Sequence, residues 1–283
     1  MNILLLPVRL FQSLSISGRL GLVVSLFWLL MAIFGNQLAP HNVEDIGGGP
    51  LFGGFTAANW LGTDALGRDI LSRILYGAKF SIGLALGAAL GASLIGTLLA
   101  LLAAVTGRWL EEILGRINDA MLVLPGKVLS LMIVAVFGSS LPMLLLTAIF
   151  TYWPGAFRIA FAMASSLRNM DYVRASKLRG ESRWYLAVHD ILPNMVHPML
   201  ADFGLRFVYI VLLLSGLSFL GLGVQPPYAD WGTLVRENIQ GLFDGSPAVL
   251  MPALAIASLT IGANLFIDSL QQMRPLVLAK EGA

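Results

Sequence analysis

Residues 166–198 read SLRNMDYVRASKLRGESRWYLAVHDILPNMVHP, a polar interval in a chain that is otherwise strongly apolar. The interval carries Arg168, Arg174, Lys177, Arg179 and Arg183, and its pattern predicts two short helices about a single glycine, Gly180. Asp171 stands near the start of the first helix, and Arg174, Lys177 and Arg179 fill its last turns, the charge order a helix dipole favours. Gly180 supplies a left-handed stop. Glu181 opens the second helix, where Trp184, Val188, Ile191 and Leu192 recur at i, i+4, i+7 and i+8 as one apolar face. Pro193 and Pro198 are expected to end it. A compact basic helix–Gly–helix between apolar stretches suits docking of a soluble partner. The competing reading is an ordinary charged loop.

Working outward, hydrophobic residues make up 57% of the 283 and charged residues 12%. A soluble globular chain carries roughly 25% charged residues, so the composition is that of a polytopic membrane protein. The net charge of +2 is too small to indicate nucleic acid. With no cysteine, disulfides, thiolate catalysis and Cys-ligated metals are excluded.

Residues 1–17 form a weakly basic lead with Arg9. The apolar run Leu20 to Leu38 is long enough to span a bilayer, which takes roughly 20 residues. No small-x-small site follows it, so it is read as a retained span rather than a cleaved leader. A long loop, residues 39–79, begins rich in Gly and Pro and becomes GTDALGRDILSRILYGAKFS. There Asp64, Arg68, Asp69 and Arg73 alternate in sign at helical spacing, which predicts an amphipathic surface helix stitched by Asp69 and Arg73 at i,i+4. A second span is expected from Phe80 to Val105, with Gly83, Gly87 and Gly91 as a packing ridge. After a polar turn at 107–119, a third span covers Ala120 to Phe137, broken at Pro125-Gly126, with Lys127 snorkelling to the near interface or lining a polar pathway. A fourth covers Leu141 to Ala162. The fifth, Met199 to Leu222, begins with Asp202 and Arg206, an expected i,i+4 ion pair near the cytoplasmic end. GVQPPYADWGTLVRENIQGLFDG then leaves the lipid, and Ser246-Pro247 has the chemistry of a helix start for a last span ending near Leu270.

Six spans result, and Lys and Arg gather on the cytoplasmic side. With the N-terminus inside, Arg9, Arg19, Arg108, Arg116, the five basic residues of the hairpin, Arg274 and Lys280 lie inside, and only Arg68, Arg73, Lys79 and Arg236 outside. The chain is therefore read as an all-α integral membrane protein of six transmembrane helices, N-in and C-in. Its parts are residues 1–79 (tail, first span and loop), a core at 80–275 that includes the hairpin 166–198, and a tail at 276–283.

No G-x-x-x-x-G-K-[ST] loop occurs, so the chain holds no P-loop for ATP. An intramembrane serine protease is opposed by Leu213 two residues before Ser215-Gly216, and by histidines (His41, His189, His197) outside the spans. The same three scattered histidines give no metal constellation. A self-sufficient secondary carrier or channel would carry ionisable residues near mid-membrane in several spans. Here Lys127, Arg158, Asp202 and Arg206 are read as lying close to the cytoplasmic end.

Four stretches together resemble one family, the inner-membrane permease subunits of ABC importers of the dipeptide, oligopeptide and nickel class. They are LAPHNVEDI with GTDALGRDILSRILYGAKFS (62–81), WPGAFR (153–158), DYVRASKLRGESRWYLAVHDILPN (171–194) and LSFLGLGVQPPYADWG (217–232). The resemblance implies a type I ABC importer permease fold with a cytoplasmic coupling hairpin, in the bacterial inner membrane. It implies a second homologous permease subunit, two cytoplasmic ABC ATPase subunits that bind ATP and Mg, a periplasmic substrate-binding protein, surrounding lipid, and no cofactor in this chain. The family's E-A-A-x-x-x-G corresponds to Arg174-Ala175-Ser176 with Gly180, followed by Leu192-Pro193; Asp171 and Glu181 flank it. The first position has lost its acid. Gly62, Thr63, Asp64, Gly67, Arg68 and Asp69, with Gln225, Pro226, Pro227 and Trp231, are expected to meet the binding protein. As alternatives they plug helix ends. Phe161 and Leu213 replace polar residues common in relatives, and Asp268-Ser269-Leu270-Gln271-Gln272 replaces an acidic and arginine-bearing pattern. These changes weigh against nickel among the peptides, opines, glutathione and other solutes such permeases serve.

Overall fold

The computed structural model describes residues 14–43 and 45–281. Arg9 and the side chains of Arg274 and Lys280, which entered the charge count, lie outside what is described. Among the described residues the chain is helical, with one isolated antiparallel bridge between Thr63 and Asp69. The helices are α1 Ile16–Leu38, α2 Ile70–Thr106, α3 Arg108–Val123, α4 Gly126–Phe137, α5 Leu141–Arg168, α6 Asp171–Leu178, α7 Arg183–Phe219, α8 Trp231–Glu237 and α9 Leu250–Glu281. Five of them (α1, α2, α5, α7 and α9) are long and apolar enough to cross a membrane. The α3–α4 pair, bent by 85°, makes a sixth if it is counted as one span. The bend has a local cause: Leu124 precedes Pro125 and is pushed to an extended conformation, with ψ 129°, as the proline ring requires.

Two expected boundaries move. The surface helix and the second span are one helix, α2, starting at Ile70, because no proline interrupts the run. Asp69 makes no pair with Arg73. It caps α2, accepting from the Ser72 amide at 2.8 Å and the Ser72 hydroxyl at 2.7 Å, which satisfies one of the N-terminal orphan donors. Nor do Pro193 and Pro198 end a helix, since α7 runs through both. Residues 186–191 form a π-helical turn in which the Leu192 amide reaches the Ala187 carbonyl. A widened turn just before Pro193 relieves the clash its ring would make with the carbonyl four residues back. At the last span, the Met251 amide bonds the Pro247 carbonyl at 3.1 Å, and regular helix follows from Leu250.

The chain forms two compact units, Met1–Ala85 with Ser139–Leu141 and Val211–Ala283, and Leu86–Gly138 with Pro142–Ile210; the boundary falls inside α2 and α7. In the first unit α1 and α9 touch through glycines. A Cβ at Gly21 would overlap the Gly262 carbonyl, and one at Gly18 the Ser269 side chain. Trp28 of α1 donates to Ser258 at 3.0 Å and meets Trp231 edge-on, 4.7 Å between ring centres. In the second unit α2 packs on α5. A Cβ at Gly91 would stand 2.6 Å from Ile149, and one at Gly96 the same distance from the Phe157 amide. Gly87 has looser contact, 3.2 Å to Leu145, and Gly83 has nothing within 4 Å in this chain. A line of every fourth residue drifts about 40° per step around a 3.6-residue helix, which carries Gly83 off the contact. Gly96 holds the close approach that Gly83 was expected to make.

Candidate functional site

The hairpin is built on its inner face. Val173 of α6 and Leu186, Ala187, Ile191 and Met195 of α7 are buried with Ala100, Leu101, Ala103 and Ala104 of α2 and Phe157, Ala160 and Ala164 of α5. Arg168, at the end of α5, donates to the Ala104 carbonyl at 2.9 Å and pairs with Glu111 at 3.0 Å. Ile191 is fully buried, Val188 and Leu192 are partly buried, but Trp184 is 65% exposed. The apolar face extrapolated at a 3.6-residue period is rotated because the π turn takes more residues per turn.

The bend itself is a complete Schellman closure. The Gly180 amide bonds Lys177 O at 3.1 Å and the Glu181 amide bonds Ser176 O at 3.2 Å, with Gly180 at φ +83°, the left-handed position such a closure needs. Nothing lies within 4 Å of where a Cβ at Gly180 would stand, so the demand for glycine is conformational rather than steric. Ser182 caps α7, accepting from the Tyr185 amide at 3.1 Å. Around this bend Arg174, Lys177, Arg179, Arg183 and Trp184 are exposed, and Leu178 is 89% exposed.

Of the residues singled out for coupling, Asp171, Arg174, Ala175 and Gly180 are exposed, Glu181 is half-buried and Ser176 is buried. Ser176 works internally, accepting from Arg179 at 2.7 Å. Leu192 and Pro193 lie inside α7, so Pro193 sets no exit from the hairpin.

The second cluster joins the GTD loop to α8. Asp64 is fully buried. Its Oδ1 accepts from the amides of Leu66 (2.8 Å) and Arg68 (2.9 Å), and its Oδ2 from Arg68 Nε and Arg73 Nη1, each at 2.7 Å. Arg73, 5% exposed, also donates to Glu237 at 2.8 Å, and Arg68 reaches the same carboxylate at 3.3 Å. Burial pushes the Asp64 carboxyl up, but those two amides and the guanidinium charges of Arg73 and Arg68 outweigh it and hold it below its ordinary value. Asn238 accepts from the Ala65 amide at 3.1 Å. Thr63 donates to the Pro50 carbonyl, and Gly62 and Gly67 take positive φ where the chain presses on Gly53 and Gly49.

Trp231 is fully buried, its amide on Ser81 Oγ and its indole on the Ile74 carbonyl, both at 2.9 Å. Asp230 caps α8, accepting from the Thr233 amide at 2.9 Å and from Ser218 Oγ at 2.7 Å. Burial, opposed by these hydrogen bonds, pushes its carboxyl up.

Gly62, Thr63, Asp64, Gly67, Asp69 and Trp231 are thus interior, and Arg68 nearly so; they hold the loops together. Gln225, Pro226 and Pro227, the last two joined by a cis peptide, remain at the surface with Tyr228. Pro226, Pro227 and Tyr228 rim a cavity of about 410 Å³ that Arg68, Arg73, Tyr76 and Glu237 also line. Sequence reasoning missed Glu237, Asn238 and Asp230. An Asp three residues before Thr233 is an N-cap signal that could have found the last.

A multi-helix protein whose polar segments are a basic helix–Gly–helix and a tightly bolted loop cluster fits a membrane transport component. Residues 96–273 match the family model "Binding-protein-dependent transport system inner membrane component". The dipeptide transport system permease protein DppC of Escherichia coli is 36% identical over 89% of this chain and 86% of its own length. DppC of Alkalihalophilus pseudofirmus is 33% identical over 89% and 83%. The glutathione transport system permease protein GsiD of Pectobacterium atrosepticum is 30% identical over 94% and 89%. The chain belongs to the binding-protein-dependent transport permeases: a multi-pass inner-membrane transport subunit with the type I ABC permease fold.

Proposed function

We propose that this chain is one half of the translocation pathway of an ATP-driven importer of small peptides, working beside a homologous second permease. Its hairpin faces the cytoplasm, where one of two ATPase subunits docks on it. The orientation rests on the excess of Lys and Arg on that side, and the peptide class on the names of the relatives. The observation that carries the reading is the hairpin's division of faces. One side is sunk in a hydrophobic cluster tied to α2 and α5. The other presents Leu178, Trp184 and four cations on a glycine-closed bend. An exposed aromatic ringed by charge is the make-up of a protein interface. A partner gripping it moves α7 directly, because hairpin and span are one helix, and closure of the ATPases would rock that span between outward and inward arrangements. The exposed lip Gln225–Tyr228, in a loop that the charge count puts outside, meets a solute-binding protein.

Reconstitution decides. With purified partner subunits in vesicles, peptide uptake should require ATP and the binding protein together. Uptake by this chain alone would sink the proposal in favour of a self-sufficient carrier.

A further inference from the structure

Within the second unit, α5 and α7 enclose a polar strip inside apolar stretches. Asp202, Arg206 and Tyr209 stand at i, i+4 and i+7 on α7, and so share a face. Arg206 Nη2 donates to Asp202 Oδ2 and Nη1 to the Tyr152 carbonyl of α5, both at 2.7 Å. Gly155 makes room for the guanidinium: a Cβ there would stand 3.1 Å from Nη1. Arg206 is 5% exposed, and its Nε is buried without a partner. The Tyr152 hydroxyl donates back to the Tyr209 carbonyl at 3.2 Å.

The ion pair lies toward the cytoplasmic end of the span, where the sequence places it, and the tyrosines lie nearer its middle. At 1.5 Å per residue Tyr152 lies about 17 Å along α5 from Leu141, and Arg206 about 20 Å along α7 from Phe219. A hydrocarbon core is roughly 30 Å thick, so both sit within it.

A brace between α5 and α7 would account for Arg206 and the carbonyl it holds. It leaves Tyr209 unexplained. That ring is 56% exposed, and among the described residues its hydroxyl makes no hydrogen bond. A phenol turned to lipid would leave its hydroxyl desolvated and unpaired. Charged groups at this depth face a bundle interior or a watered route.

We infer that Tyr209, with Tyr152 beside it, lines the solute route, and that the Asp202–Arg206 pair positions the two tyrosines against each other. The inference rests on the permease reading above and names the solute chemistry for it. The pair cancels its own charge, so beside it the route offers one free neutral donor, the Tyr209 hydroxyl, that of Tyr152 being spent on the Tyr209 carbonyl. That suits a polar solute of no net charge, such as a zwitterion, which can bind weakly and move on.

The absence of cysteine makes the test direct. In the complete transporter in vesicles, with the cysteines of the partner subunits removed, Tyr209→Cys should react with a small charged methanethiosulfonate, and the reaction should block uptake. Leu94→Cys, at an exposed apolar position of α2, should react only with a lipid-soluble maleimide. Tyr209→Phe should lower maximal uptake of a zwitterionic dipeptide by about three- to tenfold, the worth of one hydrogen bond, with the thermal midpoint and basal ATPase rate unchanged. Failure of Tyr209→Cys to react with the charged reagent places Tyr209 in lipid or a dry subunit interface and overturns the inference. So does wild-type uptake by Tyr209→Phe, which also decides the matter if Tyr209→Cys does not assemble. A parent transporter without ATP-dependent uptake overturns the permease reading instead.

Discussion

The hairpin and the loop cluster carry similar numbers of charges and use them in opposite directions. In the hairpin Arg174, Lys177, Arg179 and Arg183 point outward from an apolar floor, and the fold below them is held by Val173, Leu186, Ile191 and Met195. In the loop cluster Asp64, Arg68, Arg73 and Glu237 point inward and hold the fold themselves. Charge on the first surface is free for a partner, while charge in the second is occupied. The comparison teaches that a signed, helically spaced motif does not reveal its role by its charges alone. Burial decides whether they dock or bolt.

The comparison breaks most sharply at Arg73. Arg73→Ala leaves the Asp64 carboxylate buried with one guanidinium in place of two, and strips Glu237 of its shorter contact. Removing one partner of a buried pair costs about 3–5 kcal/mol, so the thermal midpoint of the purified protein should fall by many degrees. Arg183→Ala at the hairpin should leave the midpoint where it was. Equal midpoints for both would mean that the loop cluster is not held by its charges.

The next effect belongs to Gly180. Valine there must hold a left-handed backbone, at a cost of about 1–2 kcal/mol, paid by reshaping the bend, since no neighbouring atom resists the side chain. ATP-driven uptake should drop at least about tenfold while assembly in the membrane persists. Gly180→Asn, which tolerates the left-handed region, should keep most of the uptake. Normal transport by the valine variant would remove the bend from the coupling route.

These two residues also show what a sequence can disclose. Gly180 was legible because a Schellman closure is local: a glycine after a basic turn implies its own hydrogen bonds. Arg73 was misread because its second partner, Glu237, is 164 positions away, and helical periodicity led to Asp69 instead. The same limit hid the carbonyl partner of Arg206, which lies on another helix. It hid the exposure of Trp184 as well, because nothing local announces the π turn that re-phases α7. Five long apolar helices and the bent α3–α4 pair were legible from length and hydropathy, but their edges depended on contacts. Asp69 capping Ser72 moved the start of α2, and the π turn carried α7 through two prolines.

A pH series sharpens the same contrast with a smaller effect. Asp64, held below its ordinary value of 3.8, contributes stability that is present above that pH and lost as pH falls through its lower folded value. Asp230, pushed above 3.8 by burial, acts with the opposite sign: it is best accommodated protonated, and its contribution is lost as pH rises through its raised folded value. Asp230→Asn keeps a good N-cap without the charge. Its thermal midpoint should therefore exceed wild type at neutral pH, with the gap closing as pH falls toward 3.8. A gap independent of pH would mean that Asp230 is not ionising in place.

The smallest expected effect tests the hairpin's side of the comparison. Lys177 and Arg183 are exposed, and no ion pair involving either is seen among the described residues, so neither is tied into the fold by a charge partner and each offers rim attraction to a partner. Rim charges act through steering and are screened by salt. Lys177→Ala and Arg183→Ala should each weaken association with the ATPase by about 0.2–1 kcal/mol, a factor of roughly 1.4 to 5, read as the ATPase concentration needed for half-maximal uptake. The loss should shrink as salt is raised, because wild type then loses the same attraction. Trp184→Ala, which removes an apolar anchor rather than a charge, should give a loss that salt does not erase. If the cation variants were as salt-insensitive as the tryptophan variant, the charges would be making buried, partnered contacts in the complex, and the hairpin would resemble the loop cluster after all.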